Sequence, residues 1–202
     1  YLILKISYFP KLQMVSLETR PEYVEEWELK TIKNVLGNHI KLEVGIGYET
    51  HDPVLRNQIL HKGLSVEKLH ELCKILGENT AALKAYLMLK PHHSLTEEQG
   101  IQEAINGLDE ISQLGKQYKV EVSVHLNPTY IAKGCRLTNE LIENNYQPPE
   151  LSSVITVVEH AYQIQLPIYV GLDDEGIAIE GGTYRNTGLD RGKTVKIGRA
   201  HV

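Results

Sequence analysis

Polar side chains stand at the ends of four short apolar segments of this sequence. Glu18 and Arg20 follow the first segment, Glu49 the second, Lys90 the third and Asn127 the fourth. Carboxylates accept hydrogen bonds from hydroxyl and amino groups, whereas lysine, arginine and asparagine side chains donate to anions and carbonyls. If the segments are parallel strands, these side chains meet at the carboxyl edge of one sheet, where α/β proteins bind ligands. The sequence therefore predicts one polar binding site built from strand ends.

The second segment, residues 41–50, carries two glycines before its carboxylate. Gly45 and Gly47 have no Cβ, so another backbone or a flat ligand can approach the strand closely at these positions. With Glu49 at its end, the segment fits a carboxylate that binds hydroxyl groups, such as those of a ribose. A carboxylate that caps the next helix is an equally good interpretation. The spacing is not a dinucleotide-binding fingerprint, because the third glycine is missing.

Histidines and cysteines give weaker signals. His92 and His93 are adjacent in a predicted loop, and no established metal-ligand spacing surrounds them, so solvated side chains are favoured over a metal site. Cys73 falls on the apolar face of a predicted helix and is expected in the core, whereas Cys135 is expected in a loop. Two widely separated cysteines do not make a disulfide framework and suggest a reducing compartment.

The order of the predicted elements favours a parallel sheet. Strands are predicted over residues 13–18, 41–47, 81–89 and 119–126, and helices over 22–36, 53–60, 65–76, 96–115, 138–143 and 150–163. Strands separated by such helices imply right-handed crossovers, which is the signature of an α/β fold. A late strand over 167–170, with 177–179 as its hairpin partner, is predicted to form a small irregular extension over 166–195.

The charge, the hydropathy and the last residues of the chain restrict the class of protein. A formal net charge of −5 argues against wrapping of nucleic acid through the overall field, and no apolar run is long enough to span a bilayer. We therefore expect a soluble, cytoplasmic protein with no membrane partner. Residues 196–202 match a translated sequencing adapter, which suggests read-through at the end of an internal fragment. An intact gene that encodes these residues would contradict that hypothesis.

Several short motifs at the strand ends resemble those of the radical S-adenosylmethionine superfamily. Within it, the chain is most similar to the core found in the catalytic subunit of Elongator and in the radical subunit of archaeosine synthase. The resemblance covers residues 12–160, and its pieces occur in family order. They are Glu18-Thr19-Arg20-Pro21-Glu22, Gly47-Tyr48-Glu49-Thr50, Ile59-Leu60-His61-Lys62-Gly63, Lys84-Ala85-Tyr86-Leu87-Met88-Leu89-Lys90-Pro91, Asn127-Pro128-Thr129 and Tyr146-Gln147-Pro148-Pro149.

The resemblance implies a partial TIM-like (β/α)6 barrel, whose last four β/α units lie in residues 1–165. It further implies an enzyme in which a [4Fe-4S] cluster and S-adenosylmethionine generate a 5′-deoxyadenosyl radical, with the cluster ligands in a missing N-terminal part. An electron donor such as a flavodoxin or ferredoxin is implied as a partner. The substrate is unknown. A nucleic-acid base is the implied class, although the acidic balance gives no support for tRNA.

By the same resemblance, Glu18 would bind the methionine amino group or the ribose, Glu49 the ribose hydroxyls and Lys62 the methionine carboxylate. No residue is assigned as catalytic and none as a metal ligand. The implied cofactor-binding set is Glu18, Arg20, Gly45, Gly47, Glu49 and Lys62, and the implied substrate-side pair is Lys90 and Asn127.

One departure from the family keeps two alternatives open. The family's cysteine triad is absent, and Cys73 and Cys135 cannot replace it in number or spacing. The first alternative is a cluster-free barrel enzyme that uses Glu18 and Glu49 as general acid and base. The second is a non-catalytic barrel that binds a ligand or a partner.

Overall fold

The computed structural model describes residues 3, 5, 8–174 and 176–186, so the adapter-like segment 196–202 lies outside the described residues. The strands are β1 (Met14–Glu18), β2 (Lys41–Glu49), β3 (Ala82–Leu89), β4 (Val122–Pro128) and β5 (Ile168–Val170). The helices are α1 (Glu26–Leu36), α2 (Val66–Glu78), α3 (Glu97–Tyr118), α4 (Thr138–Glu143) and α5 (Leu151–Gln163), with a 3-10 turn at Pro21–Tyr23 and a π-helical turn at Leu55–Ile59. None of the described helices is long and apolar enough to cross a membrane.

The five strands form one parallel sheet in the chain order β1-β2-β3-β4-β5. Each crossover contains at least one helix, as parallel pairing requires. The order of the strands does not reverse, so the sheet has the topology of a barrel wall rather than that of a doubly wound sheet. This arrangement confirms the predicted α/β class and is consistent with a partial TIM-like barrel.

The two faces of the sheet differ in chemistry, because successive side chains point to opposite sides of a strand. One face packs into the main apolar core and includes Leu42, Val44, Ile46, Leu83, Leu87, Val124 and Leu126. Strand register places a polar row on the opposite face, made of Ser16, Glu18, Glu43, Lys84, Tyr86, His125, Asn127 and Tyr169. In a barrel wall, this second face is the one that lines the interior.

Two predictions about local structure are wrong. Residues 177–179 are not the hairpin partner of β5, which pairs with β4 in the main sheet. Instead, Ala178 forms an antiparallel bridge with Ala132, in which the Lys133 N–H donates to the Ile177 carbonyl and the Ile179 N–H donates to the Ile131 carbonyl. The helix predicted over 22–36 begins only at Glu26, because Pro21–Tyr23 forms a separate 3-10 turn.

Candidate functional site

An ion pair at the end of β2 is the centre of the site. Lys62 Nζ lies 2.7 Å from Glu49 Oε1, and the two side chains are 38% and 16% exposed, respectively. Glu49 ends the strand with a positive φ of 67°, a conformation in which the chain turns sharply away from the sheet. The pair therefore presents a cation and an anion together at the carboxyl edge of the sheet.

A buried arginine holds the loop that returns Lys62 to the strand. Arg56 has no exposed surface and donates from Nη1 to the Thr50 carbonyl at 3.0 Å. Its guanidinium lies 5.0 Å from the centre of the Tyr48 ring, a cation–π contact. The Arg56 carbonyl in turn accepts a hydrogen bond from the Lys62 N–H at 3.1 Å. The position of the Lys62 backbone is thus set by the core side of the sheet.

Gly47 makes room for the ion pair. A Cβ at this position would overlap Glu49 Oε1 and would lie 2.6 Å from Lys62 Nζ. The carboxylate of Glu49 and the ammonium of Lys62 therefore occupy the space that the side chain of any residue other than glycine would fill at position 47. This explains why a glycine stands two residues before the strand-end carboxylate.

Gly45 plays the same part for a second pair, Glu18 and Tyr86. The Tyr86 hydroxyl on β3 donates a hydrogen bond to Glu18 Oε1 across β2. A Cβ on Gly45 would lie 3.2 Å from both Glu18 Cγ and Tyr86 Cε2. Burial and this hydrogen bond to a carboxylate raise the pKa of Tyr86 to about 12, so its hydroxyl stays a donor at neutral pH.

Arg20 joins the site from the first strand exit. Its Nη2 donates to the Lys62 carbonyl at 3.0 Å, and its Nε lies 2.6 Å from Glu22 Oε1. The structure therefore connects Arg20 to the backbone of Lys62, whose side chain pairs with Glu49 over Gly47. Glu18, on β1, lies over Gly45 of β2. Gly45 precedes Gly47 by two residues, so both glycines face the same side of the sheet.

Asn127 lies at the far side of the same sheet edge. A Cβ on Gly171, just after β5, would overlap Asn127 Oδ1 and would lie 3.0 Å from His125 Nε2. The His125 ring also packs on Tyr86, with ring centroids 5.3 Å apart. A shallow surface pocket lies at the exits of β4 and β5, and its lining residues are Pro128, Tyr130, Gly171, Leu172, Asp173, Asp174, Thr183 and Tyr184.

The side chain of Lys90 does not join the Arg20, Glu49 and Lys62 side chains. Its Nζ lies 3.0 Å from Glu97 Oε2 and 2.8 Å from the Gln147 carbonyl, and its side chain is only 9% exposed. A positive φ of 55° turns the chain at Lys90, so its side chain reaches the start of α3. Its substrate-side role stays a prediction.

The sequence missed the polar groups within the strands. Lys84 Nζ lies 3.1 Å from Glu43 Oε1, and Ser16 Oγ donates to the same oxygen at 2.8 Å. Tyr86 and His125 were missed for the same reason, since they stand inside strands rather than at strand ends. The alternation of Lys84, Tyr86 and Met88 with buried apolar residues in β3 was the signal that could have found this face.

The two thiols give a direct check on the fold. Cys73 is fully buried in α2, and burial raises its pKa to about 12, whereas Cys135 is exposed. We expect a thiol reagent to modify one cysteine in the folded protein and both after denaturation, because the thiolate is the reactive form. A Cys135→Ser variant should show no reactive thiol until it unfolds. Rapid modification of both thiols in the folded protein would contradict this packing.

Comparison with known proteins gives two curated relatives and a structural neighbour. No family model matches the chain. An uncharacterized protein of Methanocaldococcus jannaschii is 26% identical over 196 residues, which are 97% of this chain and 52% of that protein. Archaeosine synthase subunit beta of Methanosarcina acetivorans is 28% identical over 152 residues, which are 75% of this chain and 42% of that protein. The chain thus spans about half the length of the curated relatives that it matches.

The fold is similar to that of archaeal Elp3 from Methanocaldococcus infernus with an N-terminal deletion. The TM-score is 0.63 at 20% sequence identity, over 91% of this chain and 42% of that chain. This likeness confirms the predicted fold. The strand-end motifs predicted a similarity to archaeosine synthase and to Elongator, and the sequence relative and the structural neighbour confirm this similarity.

Proposed function

We propose that the chain is part of a radical enzyme and contributes the barrel wall that binds S-adenosylmethionine. The proposal rests on the similarity to archaeosine synthase subunit beta and on the strand-end motifs that resemble the radical S-adenosylmethionine superfamily. The observation that carries the proposal is the Glu49–Lys62 pair over Gly47. S-adenosylmethionine carries a carboxylate, an ammonium group and two ribose hydroxyls, so its site needs both acceptors and donors. A carboxylate and an ammonium side by side at a strand end offer both.

Each residue of the group has a task in this proposal. The Glu49 carboxylate accepts hydrogen bonds from ribose hydroxyls, and the Lys62 ammonium binds the methionine carboxylate. Glu18 accepts a hydrogen bond from the methionine amino group, while Gly45 and Gly47 give these side chains the room that they need above β2. S-adenosylmethionine bound there would supply a 5′-deoxyadenosyl radical and release methionine after its sulfonium accepts one electron, and this chain provides no donor of that electron. A nucleic-acid base is the proposed substrate class, on the sequence resemblance alone.

The iron–sulfur cluster does not fit the residues of this chain. Such clusters are held by several cysteine thiolates, and the sequence contains two cysteines. Cys73 is enclosed in the apolar core, and Cys135 lies in the exposed loop after β4. We therefore assign the cluster no ligand here, and its cysteines would belong to protein beyond this sequence.

Calorimetric titration of the chain with S-adenosylmethionine tests the proposal. Glu49→Gln and Lys62→Met should each weaken binding at least tenfold, because a hydrogen bond to a charged group contributes about 1.5–3 kcal/mol and 1.4 kcal/mol corresponds to a factor of ten. The matched control is the surface ion pair of Lys68 and Glu71 on α2, whose atoms are 3.0 Å apart. Absence of binding, or equal affinity in the site and control variants, would contradict the proposed site.

A further inference from the structure

Three side chains with metal-binding atoms converge at the exit of β3. His92 Nε2 and His93 Nε2 lie 2.9 Å and 3.1 Å from one oxygen, Glu140 Oε1 on α4. All three ligand atoms lie within 4.8 Å of one another, and the two imidazole rings are 4.0 Å apart. Neighbouring side chains of an extended chain point in opposite directions, so this loop is bent such that both imidazoles face one carboxylate.

The kinds of ligand select a class of metal ion. Two imidazoles and one carboxylate are the donors of many zinc sites and of other transition-metal sites, whereas Mg²⁺ and Ca²⁺ prefer oxygen ligands throughout. Metal–ligand distances of about 2.0–2.2 Å place the ligand atoms of a tetrahedral site roughly 3.4 Å apart. The observed separations of 2.9 Å and 3.1 Å differ from that spacing by only a few tenths of an ångström.

Ser94 orients the more buried of the two imidazoles. His92 is 4% exposed, and its Nδ1 lies 2.9 Å from Ser94 Oγ. A proton on Nδ1, donated to this hydroxyl, leaves the Nε2 lone pair directed at the shared point, as a metal-binding histidine requires. The alternative tautomer accepts from the Ser94 N–H at 3.2 Å and directs an Nε2 proton at Glu140. The first tautomer belongs to a metal site and the second to a hydrogen-bonded cluster.

We propose that His92, His93 and Glu140 form a binding site for a divalent transition-metal ion of the Zn²⁺ type. The Glu140 side chain is 45% exposed, so the site opens to solvent, and a fourth position is accessible to water or to another ligand. A bound ion would join the loop after β3 to α4. This site is separate from the Glu49–Lys62 pair and does not depend on the function proposed for that pair.

Zinc titration of the chelator-treated full chain tests the site. We expect one Zn²⁺ bound per chain, a higher melting temperature with zinc, and visible d–d absorption when Co²⁺ replaces it. His93→Ala and Glu140→Gln should each weaken zinc binding at least tenfold. Ser94→Ala should weaken it roughly tenfold, as the loss of an outer partner of a metal-binding histidine typically does. His39→Ala, which removes an exposed histidine elsewhere, is the control and should bind zinc unchanged.

Two results would overturn the proposal. One is zinc affinity that His93→Ala, Glu140→Gln and His39→Ala leave equally unchanged, since binding would then be adventitious. The other is the absence of Co²⁺ d–d absorption in the wild-type chain, a measurement that needs no variant to fold. In either case, the three residues would form a hydrogen-bonded cluster only. Calorimetric failure of S-adenosylmethionine binding would leave this result untouched.

Discussion

Replacement of Glu97 by glutamine is expected to lower the free energy of unfolding by about 3 kcal/mol or more. Lys90 is 9% exposed, so this substitution leaves its ammonium buried opposite a neutral amide. Removal of one partner of a buried ion pair costs about 3–5 kcal/mol. The two oxygens of Glu97 accept from Lys90 Nζ at 3.0 Å, Arg185 Nη2 at 3.2 Å, Ser153 Oγ at 2.7 Å and the Glu150 N–H at 2.7 Å.

The pH dependence of this loss has a definite sign. Burial favours the neutral carboxyl, but hydrogen bonds from Ser153 and from the Glu150 N–H, together with the Lys90 ammonium, hold the pKa of Glu97 below its ordinary value of 4.5. A carboxyl whose pKa is lower in the folded state stabilises the fold above its ordinary pKa, and this stabilisation disappears as the pH falls through the folded value. The difference between wild type and Glu97→Gln should therefore narrow below pH 4.5.

Glu98 is the matched control for this experiment. It lies in the same helical turn but is exposed, so Glu98→Gln should change the free energy of unfolding by less than about 0.5 kcal/mol. Denaturant unfolding at neutral pH and below pH 4.5 measures both variants. Equal losses for the two substitutions, or a loss for Glu97→Gln that is the same at every pH, would show that the buried network does not hold the strand exit.

The strand-end carboxylates could be predicted because their placement follows from topology alone. Glu18 and Glu49 end parallel strands, and parallel strands end at one edge of a sheet. Lys62 was predicted to be a site residue only through resemblance to a family, because no local sequence pattern indicates that a π-helical turn brings its side chain back to β2. Arg56, the buried arginine that fixes this turn, is predicted from the sequence alone to be an ordinary surface charge.

Lys90 and Asn127 show where the sequence gives too little information. Both stand at a strand exit beside proline, yet Asn127 stays at the sheet edge and Lys90 joins a buried network. The difference comes from a positive φ at a lysine and from Glu97 and Gln147, contacts that form only in the folded chain. The alternation that would have revealed Lys84 and Tyr86 is local, by contrast, so their face of the sheet was predictable in principle.

Replacement of Gly47 by alanine is expected to weaken S-adenosylmethionine binding at least tenfold while the fold persists. The added Cβ would overlap Glu49 Oε1 and would lie 2.6 Å from Lys62 Nζ. Both atoms end flexible side chains, so they can move aside, and we expect the free energy of unfolding to change by less than about 1 kcal/mol. Displacement of both charged groups removes the paired donor and acceptor. Calorimetric titration and denaturant unfolding measure the two effects separately.

Gly77→Ala gives the opposite combination and serves as the control. Its Cβ would overlap the backbone carbonyl oxygen of Tyr118 at the end of α3, which cannot move unless the helix shifts. Overpacking of this kind costs about 1–3 kcal/mol, but S-adenosylmethionine affinity of the folded protein should be unchanged. If Gly47→Ala instead bound like wild type, the Glu49–Lys62 pair would not be a cofactor contact. If it unfolded as readily as Gly77→Ala, the pair would belong to the structural core, and the glycine would serve folding rather than binding.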